Sequence, residues 1–243
     1  MSQFVRALAI SRKDMESYYL KPPLITWGLL FPAVLILALY LKDRAGHLAV
    51  APGVIAMTLL FGNTSMAAIV ITFEKRTGAL ERLLVAPLGS YTIVFGKALS
   101  AAAYGIATSA VLTLILVPLL GMPFRHPGMF IIGTVMGSGI FSLIGIIASI
   151  VVREVFEAMT LMNFFRFPLL FLSGVFVPLD RMPTWLRPVA YASPLTHVVE
   201  LMRFGMTGSA HFPAPWIPLG VSFLFLVGSC LVAGPAFRRY ANR

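Results

Sequence analysis

The sequence is 243 residues long, 58% hydrophobic and only 12% charged, and it carries a formal net charge of +10. A typical soluble domain is about 25% charged, so this chain lacks the polar groups to cover its own surface and requires lipid as solvent for much of it. Its lysine and arginine residues lie in short clusters between apolar runs. This pattern argues against a nucleic-acid partner and is typical of membrane-protein loops.

Motifs for metal binding or catalysis are missing from the sequence. Cys230 is the only cysteine, which excludes an intrachain disulfide and a cysteine-based metal site. We predict no metal centre and no catalytic residues, because no H-E-x-x-H pattern and no serine elbow occur. We also expect no cleavable signal peptide, since the first apolar run begins after Lys21 and is long enough to span. The histidines are scattered over predicted outer loops: His47, His126, His197 and His211.

Six apolar runs are long enough to cross a bilayer, which takes about 20 helical residues. Only helices or closed barrels satisfy the backbone in lipid, and these runs are too long for barrel strands. The sequence therefore predicts an all-α polytopic membrane protein with six transmembrane helices. The runs are Leu24–Leu41, Gly53–Phe73, Val94–Leu119, Gly128–Val152, Phe156–Val177 and Pro215–Pro235.

Two segments outside these runs are expected to form short helices. Residues 1–23 are predicted as an N-terminal amphipathic helix in the membrane interface, with a solvated tail as the alternative, followed by a transmembrane domain over residues 24–243. The segment Pro178–Pro215 is too polar to span, and we expect short helices in the outer leaflet there. The apolar side of the first segment is formed by Phe4, Leu8, Met15 and Tyr18.

The distribution of lysine and arginine predicts the orientation. Twelve of the 19 basic residues lie at loops and tails on the side of the two termini, against six on the opposite side, and the last is Arg166. Basic residues concentrate in cytoplasmic loops. We therefore expect a multi-pass protein of a bacterial or archaeal inner or plasma membrane, with lipids as neighbours and both termini cytoplasmic.

The second predicted inside loop contains a short amphipathic helix. Gly78 allows the chain to break after the second run, and Pro87 stops the helix. Leu80, Leu83 and Leu84 share one face, opposite Glu81 and Arg82. The pattern alone leaves two interpretations open: a helix that lies passively on lipid, and a helix that docks into a groove of a partner protein.

The loop also resembles a known family. The segment EKRTGALERLLVAP, from Glu74 to Pro87, followed by Gly96-Lys97, is similar to the coupling-helix signature of type-2 ABC exporter permeases, which export drugs, lipo-oligosaccharides and polysaccharides. A second block, LSGVFVPLDRMPTWL from Leu172 and then SPLTHVVELMR from Ser193, resembles the family's region between the fifth and sixth spans. The likeness covers nearly the whole chain, with small departures at Ala79 and Ser193.

The resemblance implies a permease without its own ATPase. Two copies pair, with a homodimer expected, and two cytoplasmic ABC ATP-binding subunits carry the ATP and Mg²⁺. This chain lacks a P-loop, because Tyr91 stands where Gly96-Lys97 would need a glycine, and Ala98 follows. The implied ATPase-docking residues are Glu74, Arg76, Gly78, Leu80, Glu81, Arg82, Leu83, Leu84 and Pro87.

The fifth run contains a candidate substrate site. Arg166 lies about 15 Å into that run, where a charge is costly and therefore often functional. It either anchors the anionic head of an amphipathic substrate, such as a lipid or lipid-linked sugar, or snorkels to the inner headgroups. The candidates along the substrate path are Asn63, Asn163, Phe164, Phe165, Arg166 and Phe171.

Two other functions compete with the ABC-driven export by alternating access that the resemblance implies. A secondary transporter driven by an ion gradient usually needs acidic or histidine residues within its spans. None lies near the middle of a run in this sequence. An intramembrane enzyme would need a catalytic pair, which the runs lack.

Overall fold

The computed structural model describes residues 3–19, 30, 32–38, 41, 47–119 and 121–241. Within them the chain is helical and contains no strand, so the predicted all-α fold is confirmed for this part. A π-helical turn, Met15–Tyr19, follows the first helix, and a 3₁₀ turn, Leu179–Arg181, precedes the seventh. We number the helices α1 Gln3–Asp14, α2 His47–Arg76, α3 Ala79–Val85, α4 Ser90–Leu119, α5 Pro127–Val151, α6 Val155–Leu172, α7 Arg187–Tyr191, α8 Pro194–Thr207 and α9 Trp216–Ala241.

Five of these helices are long and apolar enough to cross a membrane: α2 from Val50, α4, α5, α6 and α9. They correspond to the second through sixth predicted runs. Of the first run, Leu24–Leu41, residues 32–38 are helical, and most of the remainder lies outside the described residues. The count of six spans therefore stays a prediction.

The predicted end of the fifth run at Val177 is wrong by one helical turn. Helix α6 ends at Leu172, and Gly174 adopts a φ of 73°. That left-handed conformation is easily reached by glycine and terminates helices. Conversely, α9 continues past the predicted end at Pro235 to Ala241. A proline inside a helix removes its own backbone hydrogen bond, which is tolerated in membrane helices.

The turn between α5 and α6 is short because α6 carries its own cap. Glu154 is the N-cap residue and forms a reciprocal capping box with Glu157. The Glu157 carboxylate accepts from the backbone N–H of Arg153 at 2.9 Å. These contacts satisfy backbone donors that the start of a helix leaves free.

Helix α5 lies at the centre of the bundle and contacts α8 closely. A Cβ atom added at Gly137 would lie 2.8 Å from Val198 Cγ1, and one added at Gly205 would lie 2.6 Å from the backbone nitrogen of Phe130. Glycine at these positions therefore lets the two helices approach. Within Pro178–Pro215, α8 is enclosed by the bundle, with Leu195 and Val198 fully buried.

Helix α1 packs on α4 through a face other than the one predicted to lie in the membrane interface. Its buried residues are Ala7, Ile10, Ser11 and Asp14, whereas Phe4 and Leu8 are exposed. Small side chains allow the close approach to α4, and the periodicity of large apolar residues gave no sign of this packing face. A solvated tail is excluded for residues 3–19, and contact of Phe4 and Leu8 with lipid stays a prediction.

Candidate functional site

Helix α3 is separate from α2 because Gly78 redirects the chain between them. Gly78 has a φ of 66°, a conformation that costs glycine little. The Thr77 hydroxyl donates to the Phe73 carbonyl at 3.1 Å, which satisfies one of the last carbonyls of α2. Ala86 is extended, as expected for a residue before Pro87. The chain breaks and leaves the helix where the sequence predicts.

The leucine face of α3 is directed towards the protein itself. Leu80 is only 1% exposed, and Leu83 and Leu84 pack against the same buried cluster. Leu80 is therefore not available to a partner protein in this structure. Periodicity identified the apolar face correctly but could not show that the chain's own core covers it.

The opposite side of α3 is open. Val85 lies four residues after Glu81 and three after Arg82, so the three side chains share one face of α3. Pro87 follows the end of the helix. All four side chains are exposed, Val85 at 87%. We call Glu81, Arg82, Val85 and Pro87 the α3 outer surface. Arg76, also a predicted docking residue, is exposed beside it, whereas Glu74 is buried.

Four charged side chains from three helices, three of them buried, form a group beside α3 that we call the inner charge cluster: Lys13, Asp14, Glu74 and Lys97. Lys13 Nζ lies 2.7 Å from Asp14 Oδ1 and 2.5 Å from Glu74 Oε1. Lys97 Nζ lies 3.1 Å from Asp14 Oδ2 and pairs with Glu74 Oε2. Asp14, Glu74 and Lys97 are buried. Two lysines balance two carboxylates, so each buried charge has an opposite partner.

The cluster changes the acid–base behaviour of Lys13 on α1. Burial lowers the pKa of Lys13, but its hydrogen bonds and charge interactions with Asp14 and Glu74 outweigh burial, and the pKa is raised above its ordinary value. Lys13 therefore stays charged at neutral pH. The net charge of the inner charge cluster is zero only while Lys13 carries this charge.

The Gly96-Lys97 pair explains how α1 reaches the cluster. A Cβ atom at Gly96 would lie 2.8 Å from the Ala7 carbonyl oxygen and 3.0 Å from Ile10 Cβ. Gly96 therefore lets α1 cross α4 in direct contact. Lys97, the next residue, supplies the charge that pairs with Asp14 and Glu74.

We expect Gly96→Ala to destabilise the protein by about 1–3 kcal/mol, because the added methyl group overpacks this crossing. Gly228→Ala in α9 is the matched control, since a Cβ atom there meets nothing within 4 Å. Alanine should stabilise α9 by up to about 1 kcal/mol. Thermal unfolding of the purified variants should therefore shift in opposite directions. Equal upward shifts would show that α1 does not pack at Gly96.

Helix α1 contacts the chain on both flanks of α3. Lys13 pairs with Glu74 before α3, and Arg6 Nη1 donates to the Pro87 carbonyl after it at 2.6 Å. The Thr92 hydroxyl also donates to Gln3 Oε1 at 2.7 Å. Helix α3 is thus fixed between two segments that both contact α1.

A polar cavity of about 470 Å³ lies next to α3. Lys75 Nζ donates to the Ser149 carbonyl at the end of α5, lies 3.4 Å from the Val152 carbonyl, and sits 4.3 Å from the centre of the Tyr240 ring. The ends of α2, α5 and α9 are therefore joined here. The charged and aromatic residues of the lining are Lys75, Arg76, Glu81, Arg153 and Tyr240.

Arg166 is enclosed by protein about two-thirds of the way along α6. It is 4% exposed and follows the start of α6 by about 16 Å. Its Nη1 donates to Asn163 Oδ1 at 3.3 Å, and its Cζ lies 5.1 Å from the centre of the Phe61 ring on α2. Sequence analysis missed Phe61, because an aromatic residue within an apolar run carries no separate signal. An arginine that snorkels needs an exposed guanidinium, unlike this one.

The other predicted path residues do not all gather at Arg166. Asn63 is fully buried, and its Nδ2 donates to the Ser138 carbonyl of α5 at 3.2 Å. It therefore joins α2 to α5. Phe164, Phe165 and Phe171 are exposed on α6. Only Asn163 among the candidates has a hydrogen bond to Arg166 within the described residues.

A second buried polar network connects α8 to the end of α6 and to the segment before α9. Glu200 accepts from Arg203 Nε at 3.1 Å and from the His211 backbone N–H at 2.7 Å, while Arg203 Nη2 donates to the Gly174 carbonyl at 2.9 Å. Burial raises the pKa of Glu200, but the His211 hydrogen bond and the Arg203 charge outweigh it and hold the pKa below its ordinary value. Sequence analysis missed this network, although Glu200 and Arg203 have the i, i+3 spacing of a helical ion pair.

Five membrane-length helices in the described part of the chain, with a short helix between two of them, define a multi-pass membrane protein. The profile of the ABC-2 type transporter family matches residues 6–207, and the chain belongs to this family. It is therefore the membrane subunit of an ABC transporter. Family membership implies pairing with an ABC ATP-binding subunit.

Relatives support the same class. The chain is 25% identical over 232 residues to the inner membrane transport permease YadH of Escherichia coli, covering 90% of this chain and 87% of YadH. It is 28% identical over 164 residues to the inner membrane transport permease YhhJ of Escherichia coli, covering 65% of this chain and 44% of YhhJ. It is 25% identical over 192 residues to the probable multidrug ABC transporter permease YbhR of Escherichia coli, covering 78% of this chain and 52% of YbhR. These names describe transport permeases, which implies a membrane subunit that is not itself an enzyme.

Proposed function

We propose that this chain is the permease of an ATP-driven exporter and docks its ATP-binding subunit through the α3 outer surface. One observation carries the proposal: α3 is fixed at both flanks by contacts to α1, yet Glu81, Arg82 and Val85 remain exposed. An exposed apolar side chain with a charged rim suits a groove in another protein. Leu80, which is buried, and the partly buried Leu83 and Leu84 hold α3 to the permease, so a force on α3 is transmitted to the bundle.

The contacts of α3 support a coupling route. Two ATP-binding subunits, which carry ATP and Mg²⁺, dock beneath two permease copies, with a homodimer as the simplest assembly. Closure of the ATPase pair moves α3, and the inner charge cluster passes this motion to α1, α2 and α4. The membrane halves then alternate between inward-facing and outward-facing states as rigid bodies.

The orientation of the proposed assembly places α3 and both termini in the cytoplasm of a bacterial or archaeal cell. The excess of basic residues on that side supports it. Arg76 and Arg82 lie at α3, Arg153 lies in the turn between α5 and α6, and Arg238 and Arg239 lie in the last turn of α9.

The substrate proposed for this exporter is amphipathic and moves along α2 and α6. Phe164, Phe165 and Phe171 give α6 an exposed aromatic surface, and Arg166 lies buried beside it. A relative named as a multidrug permease, YbhR, is consistent with such substrates. The residues proposed to line the path are Asn63, Asn163, Phe164, Phe165, Arg166 and Phe171.

Inverted membrane vesicles test the energy source. Vesicles that contain this chain and its ATP-binding subunit should accumulate an amphipathic fluorescent dye when ATP and Mg²⁺ are added. Vesicles with a P-loop lysine mutant of the ATPase should not accumulate it. A proton gradient without ATP should have no effect on either preparation. Uptake driven by the gradient alone would instead identify a secondary transporter.

A further inference from the structure

Arg166 has an unused hydrogen-bonding edge. Its Nη1 is engaged by Asn163, but Nε and Nη2 have no hydrogen-bond partner within the described residues. These two nitrogens lie on the same side of the planar guanidinium, and that edge binds carboxylates and phosphates through two parallel hydrogen bonds. A buried charged group without such partners is costly in an apolar environment.

The chain itself does not supply the missing anion among its described residues. Eight of the nine acidic residues are described, and none of them forms a salt bridge with Arg166. The ninth, Asp43, lies outside the described residues, beyond the predicted first span. The eight occupy the inner charge cluster, the surface pair with Arg12, the α6 cap, the α3 outer surface and the network around His211: Asp14, Glu16, Glu74, Glu81, Glu154, Glu157, Asp180 and Glu200.

A second copy of this chain would bring the same acidic residues. The described acidic residues that belong to candidate spans lie at the ends of those spans. Glu74 is near the end of α2, and Glu157 is near the start of α6. Arg166 lies about 16 Å from that start. Among the described residues of the candidate spans, a symmetric partner therefore offers no carboxylate at this depth, so we expect the anion to come from another molecule.

We infer that Arg166, oriented by Asn163 and Phe61, binds the carboxylate or phosphate group of an amphipathic molecule within the membrane. Arg166 Cζ lies at a cation–π distance of 5.1 Å from the centre of the Phe61 ring, and Asn163 accepts a hydrogen bond from Nη1. The edge formed by Nε and Nη2 is left for the anion. Phe164 and Phe165, beside Arg166 in the chain and exposed, provide an apolar surface for the tail. If the chain is the exporter proposed above, on which this step rests, the site at Arg166 selects anionic amphiphiles as its substrates.

Photolabelling measures this binding without any ATPase. The full chain is placed in phosphatidylcholine nanodiscs and labelled with a diazirine analogue of palmitate or with the methyl ester of that analogue. We expect Arg166→Gln to reduce labelling by the acid at least about tenfold, equivalent to about 1.4 kcal/mol, and Arg166→Lys to retain much more of it. Labelling by the neutral ester should be equal in all variants, which also shows that each variant is folded.

Two controls define the site and the source of the anion. Arg153→Gln changes an exposed arginine and should leave labelling by the acid unchanged. Unlabelled phosphatidic acid should compete with the diazirine acid, whereas inorganic phosphate should not. Competition by inorganic phosphate alone would overturn the assignment to an amphiphile and indicate a free anion.

The inference is overturned if Arg166→Gln labels like the wild type, or if acid and ester label the wild type equally. The vesicle experiment distinguishes this failure from failure of the proposed function. Absence of ATP-driven uptake together with Arg166-dependent labelling would reject the exporter and keep the site. ATP-driven uptake with Arg166-independent labelling would keep the exporter and reject the site.

Discussion

Val85→Asp should reduce recovery of the ATP-binding subunit with the purified permease by at least about tenfold, which corresponds to about 1.4 kcal/mol. Val85 is 87% exposed at the centre of the α3 outer surface. An aspartate in an apolar groove loses its water without gaining a partner, and burial of an unpaired charge costs more than this. Quantitative mass spectrometry of the two chains after detergent purification gives the ratio.

Two further variants separate docking from folding. Val189→Asp makes the same replacement at an exposed valine of α7, away from α3, and should leave the ratio of the two chains unchanged. Leu80→Asp places a charge in the permease's own core and should lower the yield of folded permease itself. Full recovery of the ATPase with Val85→Asp would show that α3 docks through another surface.

Lys97→Met should destabilise the permease by about 3–5 kcal/mol, the usual cost of removing one partner from a buried ion pair. The carboxylates of Asp14 and Glu74 would then share only Lys13, which is half-buried. Replacing Asp14 with asparagine in the same chain removes one carboxylate and should restore most of the stability. Thermal unfolding of the purified permease measures both effects.

Arg12→Met is the control for this series. Arg12 is an exposed neighbour of Lys13 whose ion pair with Glu16 lies on the surface, where such pairs contribute little. Its unfolding temperature should match that of the wild type. If Lys97→Met unfolds at that same temperature, the inner charge cluster does not hold α1 to the bundle.

The transmembrane helices could be predicted because lipid imposes a strong constraint on sequence. A span needs a long apolar run, and the runs from Gly53, Val94, Gly128, Phe156 and Pro215 all coincide with long helices. The ends of these helices could not be predicted as closely. The end of α6, for example, depends on the left-handed conformation of Gly174, and the φ of a glycine cannot be read from the sequence. The break at Gly78 was predictable because a polar segment precedes it and Pro87 ends the short helix that follows it.

Contacts between distant segments could not be predicted in the same way. Asp14, Glu74 and Lys97 are separated by more than twenty residues from each other, and periodicity relates only neighbours within one helix. The same limit concealed that Leu80 faces the permease core. Arg166 was recognisable from the cost of a charge in a span, whereas its contact with Phe61 required the packing of α2 against α6.

A photocrosslinking amino acid at position 85, in a chain expressed in its native membranes, tests docking at α3 most directly. We predict one major crosslinked product, whose peptides include a P-loop and the α3 segment, and no such product from the same amino acid at position 189. A folded permease whose position 85 crosslinks no P-loop protein, or does so only as often as position 189, would contradict the account.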